Sequence, residues 1–118
     1  MILSTMQDRP LTITSLFHHG RRIHSSAEVV TFLGEESHRI SFGALADRAA
    51  CLASALKRLG IKQGDRVGTF CWNTQEHMEA YLAVPSMGAV LHTLNIRLFP
   101  DQLSYIINHA EDRVIIVD

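Results

Sequence analysis

Three glycines spaced four apart, Gly60, Gly64 and Gly68, with Lys62 among them, form the first pattern in the chain with a bearing on chemistry. A phosphate cradle needs backbone N–H groups turned inward by G-x-G-x-x-G, or a loop whose last glycine leads into Lys and Ser/Thr. Here the lysine precedes Gly64, so these glycines read as turn residues. The seven histidines are many for 118 residues. His18, His19 and His24 cluster near the start, but neighbours on a helix diverge, so His18 and His19 cannot share a metal from one face. They read as solvated or interface groups. His77, His92 and His109 fall in separate elements, and no Ser/His/Asp arrangement follows from their spacing. No His/Cys set has the spacing of a zinc site.

Cys51 falls inside a helical stretch and Cys71 inside a strand, and both read as small core residues. Glu35 and Glu36 share a turn and read as solvated charge, since acid–base work needs burial or a partner. Asp118 ends a strand, where open α/β sheets bind ligands, but it lacks the acidic neighbours a phosphoryl acceptor would need. Asn95 reads as bonding its own turn backbone and Arg97 as pinning the following loop. The functional alternative is Arg97 holding a phosphate or carboxylate. From the residues alone, no catalytic, cofactor-binding or metal-ligating side chain is assigned.

Composition sets the frame around these groups. Hydrophobic residues make up 47% and charged residues 19%, which excludes a disordered or collagen-like chain. A net charge of −1 gives no footprint for nucleic acid. Two cysteines fit a reducing compartment and exclude a disulfide scaffold. The first ten residues lack the basic n-region of a signal peptide. The longest apolar stretch, Ala80 to Leu94, is interrupted by Pro85, Ser86 and His92, so no membrane span is expected. A soluble, cytoplasmic protein follows, meeting membranes at most peripherally through a lipid substrate.

The elements that must position these residues are legible from periodicity. Residues 1–11 read as a leader, and Thr12 to Arg22 as a short helix. Val29 to Leu33 and His38 to Phe42, joined by Gly34-Glu35-Glu36-Ser37, predict a small hairpin. Leu45, Ala49, Leu52, Leu56 and Leu59 line one face of a helix over Phe42 to Leu59, with Ser41 before it and Gly60 as its left-handed stop. Arg66 to Trp72 is an apolar strand. Asn73 or Thr74 caps a helix from Gln75 towards Met87, with Pro85 as its kink or end. Ala89 to Asn95 is a third strand run, Gln102 to Ala110 a helix, and Val114 to Val117 a final strand expected to be fully buried. Helix and strand alternate from Phe42 onward. That order predicts an α/β fold, a mostly parallel sheet flanked by helices. Ending on a β-branched strand, the chain reads as the front of something longer.

Several stretches together resemble a known family. These are Gly60-Ile-Lys-Gln-Gly-Asp-Arg-Val67, then Asn73-x3-His77-Met78-Glu79-Ala80-Tyr81-Leu82-Ala83-Val84-Pro85, then Gly88-Ala89-Val90, Asn95-x-Arg97-Leu98 and Tyr105-Ile-Ile-Asn-His-Ala-Glu-Asp112. They resemble long- and medium-chain fatty acyl-CoA synthetases of the AMP-binding, adenylate-forming superfamily. Ile40-Ser41-Phe42 is similar to an early Thr-Tyr motif of that family. The resemblance implies that residues 12–118 are the first part of the large N-terminal domain, incomplete at its C-terminal side. It implies a two-step ligase using ATP, Mg2+ and CoA, in which a fatty acid carboxylate attacks the α-phosphate and CoA then displaces AMP. The family's phosphate loop, its Tyr-Gly-x-Thr-Glu motif, its ribose-binding Asp and its late Lys have no counterpart in these 118 residues. This segment alone is therefore expected to bind none of the three and to be inactive. The resemblance also implies a homodimer through the N-terminal region. Two alternatives stay open at this point: a non-enzymatic remnant or interaction module that keeps the sheet, and, last, a small self-contained nucleotide-binding domain.

Overall fold

A computed structural model describes residues 5, 6 and 8–118. The leader expected over residues 1–11 lies partly outside them; its described part is irregular and exposed. Thr12 caps the first helix, α1 (Ile13–Ile23), its hydroxyl accepting from the Ser15 amide at 3.1 Å. Phe17 is the one residue α1 buries. Gly20 lets the helix approach Phe42, whose ring would lie 2.7 Å from any Cβ at that position. The hairpin follows as β1 (Glu28–Phe32) and β2 (Ser37–Ser41), antiparallel and forming a separate two-stranded sheet.

The chain turns from β2 into α2 (Phe42–Arg58), where Ser41 Oγ accepts from the Ala44 amide at 3.2 Å. Leu45, Ala46, Ala49 and Leu56 are buried on one face, as the spacing predicts. Leu59 departs from the expected stripe. It caps the helix and is 69% exposed, because the chain has begun to leave the helical path for Gly60 at φ 89°. Cys51 also departs from expectation: it lies on the exposed side of α2, one hundred degrees round the helix from Leu52, and is no core residue.

From there strand and helix alternate as predicted: β3 (Arg66–Phe70), α3 (Gln75–Ser86), β4 (Val90–Thr93), α4 (Pro100–Ala110) and β5 (Val114–Val117). Of the two candidate caps for α3 it is Thr74 that serves, while Pro85 sits in the last turn and Gly88 at φ 86° ends the run. The three strands are parallel in the order β4-β3-β5. Val67 and Val84 are fully buried, with Leu56, Ile61 and Ala89 around them and Leu91, Val114 and Ile116 packed against the cluster. A second cluster joins Phe17, Ala46, Ala49 and Ala83. Glu79 is buried between these helices and is satisfied by Arg48 Nε at 2.5 Å and Gln75 Nε2 at 2.7 Å. That hydrogen bond, then the charge of Glu79, raise the Arg48 guanidinium above its ordinary pKa.

The final strand does not meet the expectation of full burial. Val114 and Ile116 are half-buried, whereas Ile115 and Val117 are exposed. With side chains alternating across a strand, residues facing α2 and α3 are covered and those facing the other way are not. Val90, on the same uncovered side of β4, is 48% exposed. Helix α4 buries none of its residues, although Leu103, Ile106 and Ile107 do share a half-buried face.

Candidate functional site

The strand order places the candidate site. From β3 the chain crosses to β4 on one side, and from β4 it crosses back beyond β3 to β5. This reversal makes the carboxyl ends of the adjacent β3 and β5 the switch point of the sheet, where open α/β folds take their ligands. Trp72 and Asn73 lie just beyond β3 and Asp118 just beyond β5, while Asn95 and Arg97 follow the neighbouring end of β4.

Most polar groups here are committed to the backbone. The Trp72 amide donates to Asp118 Oδ2 at 2.8 Å, tying the β3 end to the β5 end. Asn95 behaves as its sequence context predicts, its Oδ1 accepting from the Arg97 amide at 2.9 Å. Arg97 departs from the loop-pinning expectation: it is exposed, with no side-chain hydrogen bond among the described residues. Cys71 donates its thiol to the Ile116 carbonyl at 3.4 Å, and burial, then the Asp118 charge, push its pKa up.

Two histidine pairs were not legible in the sequence. His77 Nδ1 lies 3.1 Å from the Trp72 carbonyl, and Nε2 lies 3.0 Å from Thr69 Oγ1. A carbonyl only accepts, so Nδ1 donates to it and Nε2 accepts from the threonine hydroxyl. Thr69 has no exposed surface and His77 is 7% exposed, so this hydroxyl–imidazole pair is closed to substrate and anchors α3 to β3. On the other side of the sheet, His92 Nδ1 lies 2.8 Å and 3.0 Å from the two oxygens of a buried Asp112 carboxylate. The pair spans β3 at Gly68, where an added Cβ would come within 3.2 Å of Asp112 Oδ2. Separations of eight and twenty residues along the chain carry no periodic signal, so only the folded sheet brings these partners together.

His18, His19 and His24 lie on or beside α1, with His19 and His24 rings 5.7 Å apart, and His109 stacks on Tyr105 at 5.6 Å. Glu35 and Glu36 are exposed at the hairpin turn. Gly60 and Gly64 occupy positive-φ turns before β3, at the opposite end of the sheet from the switch point, and Gly68 lies within the strand. Among the described residues, no three His, Cys, Asp or Glu side chains gather closely enough to hold a metal ion. No chemical step is assigned to these residues. No described helix is long and apolar enough to cross a membrane.

The architecture is that of the N-terminal domain of adenylate-forming enzymes. Coronafacic acid ligase from Pectobacterium brasiliense superposes with a TM-score of 0.83 at 29% identity, over 92% of this chain and 21% of its own. A Mycobacterium tuberculosis fatty acyl CoA synthetase shares the fold with a TM-score of 0.82 at 23% identity, over 90% of this chain and 21% of its own. The chain belongs to the AMP-binding enzyme family, whose model matches residues 17–118. It is 44% identical over 116 residues to the long-chain-fatty-acid–CoA ligase of Thermus thermophilus, covering 98% of this chain and 21% of that one. It is 42% identical to the medium-chain-fatty-acid–CoA ligase of Ectopseudomonas oleovorans, covering 99% and 22%. It is 44% identical to the 3-methylmercaptopropionyl-CoA ligase of Ruegeria lacuscaerulensis, again covering 99% and 22%. The chain thus spans about a fifth of the length of these relatives.

Proposed function

We propose that residues 12–118 are the first part of the large domain of an ATP-dependent fatty acyl-CoA ligase working in the cytoplasm. In the reaction assigned to the whole protein, a fatty acid and ATP give acyl-adenylate and pyrophosphate, and CoA then displaces AMP to give acyl-CoA. The observation that carries this reading is the 44% identity to a long-chain-fatty-acid–CoA ligase across 98% of the chain. Within such a protein these residues supply the sheet and its switch point, on which chemistry from other parts of the protein is positioned. ATP, Mg2+ and CoA belong to the whole ligase. Homodimerisation of that ligase through the N-terminal region is part of the same reading.

The test is a chimera in which residues 12–118 replace the matching segment of the Thermus thermophilus ligase. Fatty-acid-dependent ATP–pyrophosphate exchange is expected from the folded chimera and none from the 118-residue chain alone. A folded chimera without exchange, or robust exchange by the isolated chain, would overturn the reading.

A further inference from the structure

The corner between β3 and α3 is held more firmly than a short link requires. Residues 71–74 join the two elements at the carboxyl end of β3, one side of the switch point. Both peptide groups flanking Trp72 are tied down. On one side the Trp72 amide donates across the switch point to Asp118 Oδ2 at 2.8 Å, just beyond β5. On the other, the Trp72 carbonyl accepts from the Thr74 amide at 2.9 Å and from His77 Nδ1 at 3.1 Å. A single residue thus fixes the corner to the end of β5 and to α3.

His77 is a demanding choice for that place. Its ring is 7% exposed, so each nitrogen needs a partner, and Nε2 has one only because Thr69 presents its hydroxyl at 3.0 Å. The Tyr81 ring lies 5.0 Å from the imidazole. Ala80, Ala83 and Val84 already bury α3 against the protein, so packing does not call for an imidazole. Nor does the Trp72 carbonyl need it as a partner, since the Thr74 amide is there. What the second donor adds is direction: a rigid, buried ring aims one N–H at one carbonyl and fixes the orientation of that peptide. Loops at strand ends carry ligand contacts, and a displacement of about 1 Å can cost on the order of 100-fold in rate.

We propose that His77 is a positioning residue for the ligand crevice of the ligase, acting through the Trp72 carbonyl to hold the β3–α3 corner in the geometry that binding needs. The proposal rests on the ligase reading given above. His77 acts from behind the corner, enclosed between α3 and β3, and is not itself a catalytic residue.

The test separates the two ring nitrogens. Asparagine places its amide nitrogen where Nδ1 stands, and glutamine places its amide oxygen where Nε2 stands. His77→Asn therefore keeps the bond to Trp72 and gives up Thr69, whereas His77→Gln does the reverse. Thr69→Val gives up the hydroxyl and leaves Nδ1 in place. Acyl-CoA formation from palmitate, ATP and CoA is followed for each variant in the chimera with the Thermus thermophilus ligase. His77→Gln is expected to lower kcat/KM for at least one of the three by about tenfold or more, while His77→Asn and Thr69→Val stay within about threefold of the parent. Melting midpoints should fall in all three variants, because each leaves a buried polar group without its partner, so lost stability does not account for the difference. In the 118-residue chain Trp72 is the single tryptophan, and its fluorescence anisotropy should fall in His77→Gln and hold in the other two. The proposal is overturned if folded His77→Asn loses activity, if His77→Gln keeps parental kcat/KM for all three substrates, or if the Trp72 signal does not separate the variants. An inactive folded parent chimera overturns the ligase reading and this proposal together, whereas an active parent without the pattern overturns this proposal alone.

Discussion

Gly68 illustrates how much a single position decides in the sheet. Its φ is ordinary, so the requirement for glycine there is one of space and not of backbone freedom. Asp112 and Ile115 fill the place a side chain would take, at 3.2 Å and 3.3 Å from an added Cβ. Gly68→Val should push the Asp112 carboxylate off His92 and cost about 1–3 kcal/mol, as overpacking does. A urea titration would read it as a lower midpoint with an unchanged slope. Gly68→Ala should cost less, since Ile115 sits near the sheet edge and can give way. The two cysteines differ by exposure. Cys51 is open on α2, while Cys71 is half-buried with its pKa raised, first by burial and then by Asp118. At pH 8, iodoacetamide should modify Cys51 well before Cys71, with mass spectrometry of the peptides giving the order. The unfolded thiol loses its proton at lower pH than the folded one. The Cys71 contribution to stability is therefore intact below the ordinary thiol range and falls as pH rises towards the raised value.

At the scale of elements, three helices begin on a Ser or Thr whose hydroxyl accepts an amide of the first turn: Thr12, Ser41 and Thr74. Helix α2 has no acidic residue in its first turn, so Ser41 is its main local stabiliser at that end. Ser41→Ala should cost about 1 kcal/mol, and Ser41→Asp should be neutral or slightly favourable because it adds a charge matched to the helix dipole. Thermal melts of the two variants would show a lowered midpoint for alanine alone. The helical stripe of α2, and the start and end of α3, were legible because apolar spacing, capping residues and Pro85 act within a few residues of each other. Helix α4 was legible as a helix for the same reason, yet its spacing could not say that it buries nothing.

The molecule as a whole is looser than its length requires. Its radius of gyration is 16.7 Å, against about 13–14 Å for a compact domain of 118 residues. One face of the parallel sheet is packed on α2 and α3, and the other shows Val90, Ile115 and Val117. An uncovered apolar face on a sheet with open edges invites self-association. Val117→Lys should reduce that association at high concentration while leaving the melting midpoint within about 1 °C, because Val117 is already 62% exposed. Light scattering against concentration checks it; an unchanged profile would mean the face is not what associates.

Local pattern alone determined the order of helices and strands, Ser41 ahead of α2 and the parallel α/β class, since these rest on spacings and turn residues close along the chain. It also placed Asn95 in its own turn. The tertiary structure decided which side of β5 is covered, that Cys51 faces outward, and that Thr69 meets His77 and His92 meets Asp112. Those outcomes depend on which strands become neighbours and which face each helix covers. Such long-range choices leave no periodic trace in the residues that make them.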